Sequence, residues 1–231
     1  ELENKKNYLR LLLSKRVDAV IMVGSHYLEA NKADNDYIIS AAEEVPVMMI
    51  NGYLNHPNIY CTLCDDYQAV YDTVARLAAH GRKRFAFLYR SDSNSSRTKM
   101  KGFKDGIAAA GLTLSEDSVK FCPNDILLTK NILTELYENG TSYDAILTSE
   151  DSLAVAAVKF AGSMGLRVPE DLEIVGYNNS LLGICTEPEL STLDNHVETL
   201  SITTVNTLMR VLQGADVPNK TMISNDFIVR G

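Results

Sequence analysis

The stretch Val168–Asn179, VPEDLEIVGYNN, reads as a loop, a short buried strand and an abrupt polar tip. Pro169 and Asp171 punctuate the loop. Leu172, Ile174 and Val175 form an apolar run, and Gly176 is expected to let the backbone turn tightly. Asn178 and Asn179 then project amides from the carboxyl end of the strand. In an open parallel sheet, that end is where ligands bind. Taken alone, the segment also fits a buried strand followed by an Asn-rich turn.

Working outward, short apolar runs alternate with helical stripes. The runs Ala19–Val23, Val47–Ile50, Phe85–Tyr89, Ala145–Thr148 and Glu173–Gly176 read as strands buried on both faces. Between them, Val70, Val74, Leu77 and Ala78 mark one helix. Met100, Phe103, Ile107 and Ala110 mark another, and Ile132, Leu133, Leu136 and Tyr137 a third. A fourth spans about 152–164. Val205, Leu208, Met209 and Leu212 mark the last. Gly81, Gly111, Gly140, Gly165 and Gly214 follow these helices, as left-handed caps should. The alternation predicts a doubly wound parallel α/β fold.

The chain has 231 residues, 45% of them hydrophobic, enough for one sizeable core or two small lobes. Its 22 Lys+Arg against 30 Asp+Glu give a net charge of −8, which repels DNA and anionic membranes. No apolar run approaches the ~20 residues of a membrane span, so no membrane association is expected. Cys61 and Cys64 form a CxxC without a second ligand pair, so no metal is expected, and reduced cytoplasmic thiols fit best.

Five motifs in register carry a resemblance. They are HGRKRFAFL at His80–Leu88, KGF at Lys101–Phe103, SEDSLAVAAVKFAGSMGLRVPED at Ser149–Asp171, GYNN at Gly176–Asn179 and PELSTLDN at Pro188–Asn195. Together they resemble the LacI/GalR family of bacterial sugar-responsive repressors. The resemblance implies two Rossmann-like, doubly wound parallel-sheet lobes joined by three crossover strands. The N-terminal lobe would be residues 1–62 plus 197–221, and the C-terminal lobe 63–196 plus 222–231. The crossings would lie near Tyr60–Leu63, Leu193–His196 and Met222–Ser224. It implies further that a helix-turn-helix domain, a hinge and a strand–helix–strand unit precede the point matching Glu1. The segment is then expected to be part of a longer chain whose missing domain contacts operator DNA.

A sugar site needs amides, carboxylates and guanidinium groups converging from strand ends, because each hydroxyl both donates and accepts. Asn51 follows one strand, Glu150 and Asp151 another, Asn178 a third, and Asn195 follows Ser191–Leu193 on a crossing. By resemblance these positions contact effector or lie beside it. Asp151 fits a helix cap equally well. For Asn178 the ligand role is preferred, since Asn179 and Ser180 can serve the local turn. The family carries an Arg three residues before the glycine of its R-x-x-G-[FYW] motif. Here that position is Lys99, with Arg97 two residues earlier. Lys cannot make the bidentate fork of Arg, so either Arg97 takes the role or Lys99 gives a single charged contact. Both would otherwise decorate an exposed first turn. Where the family often has Asp, Asn178 points to a neutral ligand of different hydroxyl pattern or to an anionic one. Tyr27, Tyr53 and Tyr177 are candidate stacking platforms, each also fitting core or rim. Asn124 stands near an aromatic position of the family.

No GxSxG, GxGxxG, phosphate-binding Gly-Lys loop or HExxH occurs, so no catalytic residue, cofactor or enzyme activity is expected. The expected function is the effector-binding and dimerisation core of a transcriptional regulator. A small effector, a sugar or sugar derivative, would bind between the lobes and shift operator affinity. The rival is a periplasmic sugar-binding component of a transporter, which shares the fold. A homodimer is expected, and the helix Asp36–Glu43 offers Tyr37, Ile38 and Ile39 as an apolar row for its interface.

Overall fold

The computed structural model of the chain describes residues 2–230. Glu1 and Gly231, the outer limits of the two expected lobes, lie outside the described residues. Internal packing divides the chain into two units. The first runs up to Asp65, takes in Ser93–Ser95 and returns as His196–Ile223. The second comprises Asp66–Asp92, Ser96–Asn195 and the chain from Ser224 onward.

In the first unit, strands β1 (Val20–Val23), β2 (Val47–Ile50), β3 (Ile59–Cys64) and β9 (Lys220–Ile223) form a sheet in that order. All its pairings are parallel. Helices α1 (Leu2–Ser14) and α2 (Asp36–Glu44) supply Leu9, Ile38, Ala41 and Ala42 to the core on one face. On the other face, Leu200 of α7 (Val197–Leu212) packs on Ile50 and Cys64. Two residues of the α2 apolar row, Tyr37 and Ile38, pack inside the unit. Ile38 is fully buried, and the Tyr37 hydroxyl donates to the Tyr27 carbonyl at 2.7 Å. Ile39 of the same row is half-buried. Exposed apolar residues of this unit include Tyr8, Leu11 and Leu12 on α1, Val23 on β1, and Ile202, Val205 and Met209 on α7.

The second unit holds a six-stranded sheet in the order β10-β8-β7-β6-β4-β5. Its strands are β4 (Phe85–Tyr89), β5 (Val119–Phe121), β6 (Ala145–Thr148), β7 (Glu173–Tyr177), β8 (Ser191–Asp194) and β10 (Asp226–Ile228). All pair in parallel except β10, which runs antiparallel to β8 at the edge. Alternation along β4 divides the two cores. Phe85 and Phe87 face α3 (Asp66–Ala79) and α4 (Asn94–Ala109). Ala86 and Leu88 face α5 (Ile126–Glu138) and α6 (Asp151–Ser163). Strands buried on both faces need apolar residues at every position, which is why these runs do not alternate in polarity.

The five helix-ending glycines all adopt positive φ, from 69° to 92°. Gly176 is different. It lies within β7, and a Cβ there would stand 2.2 Å from the Asp151 carboxylate, so close approach rather than turning demands glycine. Gly102 is constrained in the same way, since its Cβ would meet the Tyr67 carbonyl oxygen at 2.3 Å, where α4 crosses α3. The HGRKR and VPED motifs meet at the amino ends of the strands. There the Arg82 guanidinium donates to the Pro169 carbonyl (2.6 Å), the Glu170 carbonyl (3.0 Å) and Glu173 Oε2 (3.1 Å).

Candidate functional site

Parallel pairing puts the carboxyl ends of β8, β7, β6, β4 and β5 along one rim of the second sheet. The residues that follow those ends are, in order, Asn195, Asn178, Glu150, Arg90 and Asn124. Asn195, Asn178 and Glu150 are sequence-predicted site residues, and the sheet brings them into one row. Arg90 was not expected from the sequence. Only its position directly after an apolar run could have signalled it.

The rim backbone is strained. Asn178 has φ +100° and Asn179 φ +50°, a region that residues other than glycine rarely occupy. The strain is held by bonds on every side. The Asn178 N–H donates to the Leu193 carbonyl at 2.8 Å, and Asn195 Nδ2 donates to Asn178 Oδ1 at 3.0 Å. Asn179 donates to Asp194 Oδ2 at 3.0 Å and accepts from the Arg230 guanidinium at 2.6 Å. Asn179 therefore serves the loop, while the exposed Asn178 amide stands at the tip.

Asp151 is 1% exposed at the start of α6. Its carboxylate accepts from the Ser180 N–H and the Thr192 hydroxyl, each at 2.6 Å. It is thus a brace that ties α6 to the strand-end loop, and its bonds run to β8 and to that loop rather than to the N–H groups of its own helix. Glu150, one residue earlier, remains at the rim. Its Oε2 pairs with Arg90 at 2.9 Å and its Oε1 accepts from the Ser152 hydroxyl. Beside Ser152, a recess of about 300 Å³ is lined by Asn124, Asp125, Ile126, Leu127, Ser152 and Leu153.

Lys99 is 6% exposed, so it does not decorate an exposed first turn. Its ammonium sits 3.4 Å from the Tyr177 ring centroid and donates to the Ser149 carbonyl at 3.1 Å. Tyr177 is itself core, its hydroxyl bonded to Asp66 and accepting from Asn225 Nδ2 at 2.8 Å. Arg97 is half-exposed and pairs with Asp92, through the carboxylate at 3.1 Å and the carbonyl at 2.7 Å. Asn51 belongs to the first unit. It has φ +59°, and its Oδ1 accepts from the Cys64 N–H at 3.2 Å, which closes the end of β2 onto β3. Tyr53, in the same unit, is exposed beneath the Lys220 ammonium, and Tyr27 packs at the margin of its core.

Cys61, Cys64 and Cys122 are buried. Burial pushes the Cys61 thiol up and the Cys122 thiol to about 11, so neither is an activated nucleophile at neutral pH. Among the described residues no cluster of His, Cys, Asp and Glu could hold a metal ion, and no helix is long and apolar enough to cross a membrane.

The profile of the family described as periplasmic binding proteins and sugar-binding domain of the LacI family matches residues 1–230. A helix-turn-helix-type transcriptional regulator of Lachnoclostridium phytofermentans is 58% identical over the whole of this chain, which spans 69% of that protein. The helix-turn-helix-type transcriptional regulator AscG of Escherichia coli is 29% identical over 95% of the chain, which spans 65% of it. A crystal structure of a LacI-family sugar-binding transcriptional regulator from Escherichia coli, complexed with phosphate, superposes with a TM-score of 0.86. It is 27% identical, over 99% of this chain and 81% of that one.

Proposed function

Since the chain belongs to the family of periplasmic binding proteins and LacI-type sugar-binding domains, we propose that it is the effector-binding and dimerisation core of a sugar-responsive transcriptional regulator. The observation that carries the reading is the row of hydrogen-bonding groups at the carboxyl rim of the second sheet. Amide, carboxylate and guanidinium stand there side by side on adjacent strand ends. Such a row suits a ligand whose groups both donate and accept. The 58% relative bears a regulator's name, which favours this reading over a transport component.

The mechanism is linkage. The ligand undergoes no reaction. It binds one arrangement of the protein more tightly than another, and that difference, commonly ~1–3 kcal/mol, appears as altered affinity for operator DNA. The chain carries a net charge of −8, so the DNA contact belongs to a separate helix-turn-helix domain. Lys99 and Arg97 serve the site from α4, Lys99 as a buried support beneath the rim and Arg97 at its margin. Asn51 and Asp151 hold strand ends in place.

The test uses the regulator that carries this chain. Operator affinity, measured by fluorescence anisotropy with and without a saturating sugar that stabilises the protein, should change at least fivefold. Sedimentation should give a homodimer at micromolar concentration. Unchanged operator affinity, or a monomer only, would contradict the proposal.

A further inference from the structure

The cations around the rim are already matched. Arg97 pairs with Asp92, and Lys99 is buried against Tyr177 and Ser149. Arg230 is held by Asn179, the Leu190 carbonyl and Glu189. Arg90 pairs with Glu150 at 2.9 Å. An anionic ligand would have to break one of these pairs and approach the Glu150 carboxylate.

The Arg90–Glu150 pair is itself incompletely satisfied. The Nε of Arg90 is buried and has no hydrogen-bond partner among the described residues. A donor left unmatched costs more than a partly exposed ion pair returns. As it stands, the pair is therefore a poor structural element, and a further acceptor would complete it. The carboxylate also has capacity to spare. Oε2 meets Arg90 and Oε1 meets Ser152, while each oxygen has a second lone pair. Arg90 and Glu150 follow hydrogen-bonded neighbours, β4 and β6, so the two groups stand next to each other at the rim.

Resting on the reading of the rim as an effector site, we propose that Arg90 and Glu150 form a clamp for adjacent hydroxyl groups. One hydroxyl oxygen accepts from the guanidinium fork while its O–H donates a hydrogen bond to the carboxylate, and the neighbouring hydroxyl does the same. The ligand is then an uncharged sugar, discriminated from sugar acids and sugar phosphates by Glu150. Arg90 and Glu150 are the specificity-determining residues, and Asn178, beside Glu150 on the next strand end, contacts the next ring position.

The test titrates the chain with matched probes, by thermal shift and calorimetry. The neutral set is D-glucose, D-galactose, D-ribose and cellobiose. The charged set is D-glucuronate, glucose 6-phosphate and ribose 5-phosphate. One neutral sugar should bind at least tenfold more tightly than any charged probe. Arg90→Gln and Glu150→Gln should each weaken it at least tenfold, with unchanged melting temperatures. Arg90→Lys should fail to restore binding, because it keeps the charge and loses the fork. If Arg90→Gln does not fold, Glu150→Gln and Arg90→Lys decide. A charged probe that binds more tightly, or wild-type affinity in the folded variants, would overturn the clamp while leaving the effector site standing. Binding of no probe at all would count against the effector reading itself, and the clamp would fall with it.

Discussion

Asn178 combines a strained backbone with an exposed amide. Its φ of +100° is unfavourable for a side chain, yet its amide stands at the tip of β7 between Asn195 and Glu150. Strain of this kind persists where the surroundings over-determine it, as the Leu193 and Asn195 bonds do here. Asn178→Gly separates the two roles, because glycine accepts the conformation and removes only the amide. The expected result is ligand affinity weakened by roughly 1–3 kcal/mol with the melting temperature little changed, measured by calorimetry and thermal unfolding of one preparation. A large fall in melting temperature with intact affinity would make the amide a turn former.

At the scale of the element, two contacts set the frame. Gly102 lets α4 lie against α3, and Gly102→Ala would drive a methyl group into the Tyr67 carbonyl. We expect a loss of roughly 1–3 kcal/mol or more by urea unfolding, because the clash is with backbone. Asp144 fastens the start of β6 to β4. It accepts from the Lys83 and Arg84 N–H groups at 3.1 Å each and from Arg84 Nε at 2.9 Å. Burial opposes its ionisation, but the Arg84 guanidinium and the two N–H groups outweigh it and hold the carboxyl below its ordinary range. A lowered folded pKa means that the stabilisation is full above the ordinary value, near ~3.9, and is lost as pH falls through the folded value. Asp144→Asn should therefore be less stable than wild type at pH 7. The gap should close as thermal unfolding is repeated from pH ~4 downward.

The central strands were legible because parallel strands buried on both faces are continuous apolar runs, as Val47–Ile50 and Ala145–Thr148 are. The glycine stops were legible because few other residues adopt left-handed φ. The edges were not. Strand β5 has no fully buried residue, and α1 has a single buried residue, Leu9, so neither leaves a clear pattern. In the site, amides at strand ends could be read from order alone. Arg90 could not, because its significance depends on Glu150, 60 positions away in sequence and brought beside it by strand pairing. The burial of Lys99 was equally hidden, since a lysine near the start of a helix ordinarily faces solvent.

Across the molecule, the two ends of the strands of the second sheet carry different kinds of contact. Their amino ends carry structural locks, Arg82 on the VPED loop and Asp144 on Arg84. Their carboxyl ends carry the strained amides and the Arg90–Glu150 pair. Motif strength therefore does not report function uniformly. HGRKR and VPED fix the scaffold, and in the proposed function it is the strand ends that follow β4, β6 and β7 that meet the ligand. Hydrogen–deuterium exchange of the chain with and without a stabilising sugar tests this division most directly. The account predicts added protection at residues 89–97, 149–152 and 177–180, with the amino-end segments 80–84 and 167–173 unchanged. Protection confined to the amino-end segments, or to the helices away from the rim, would contradict it.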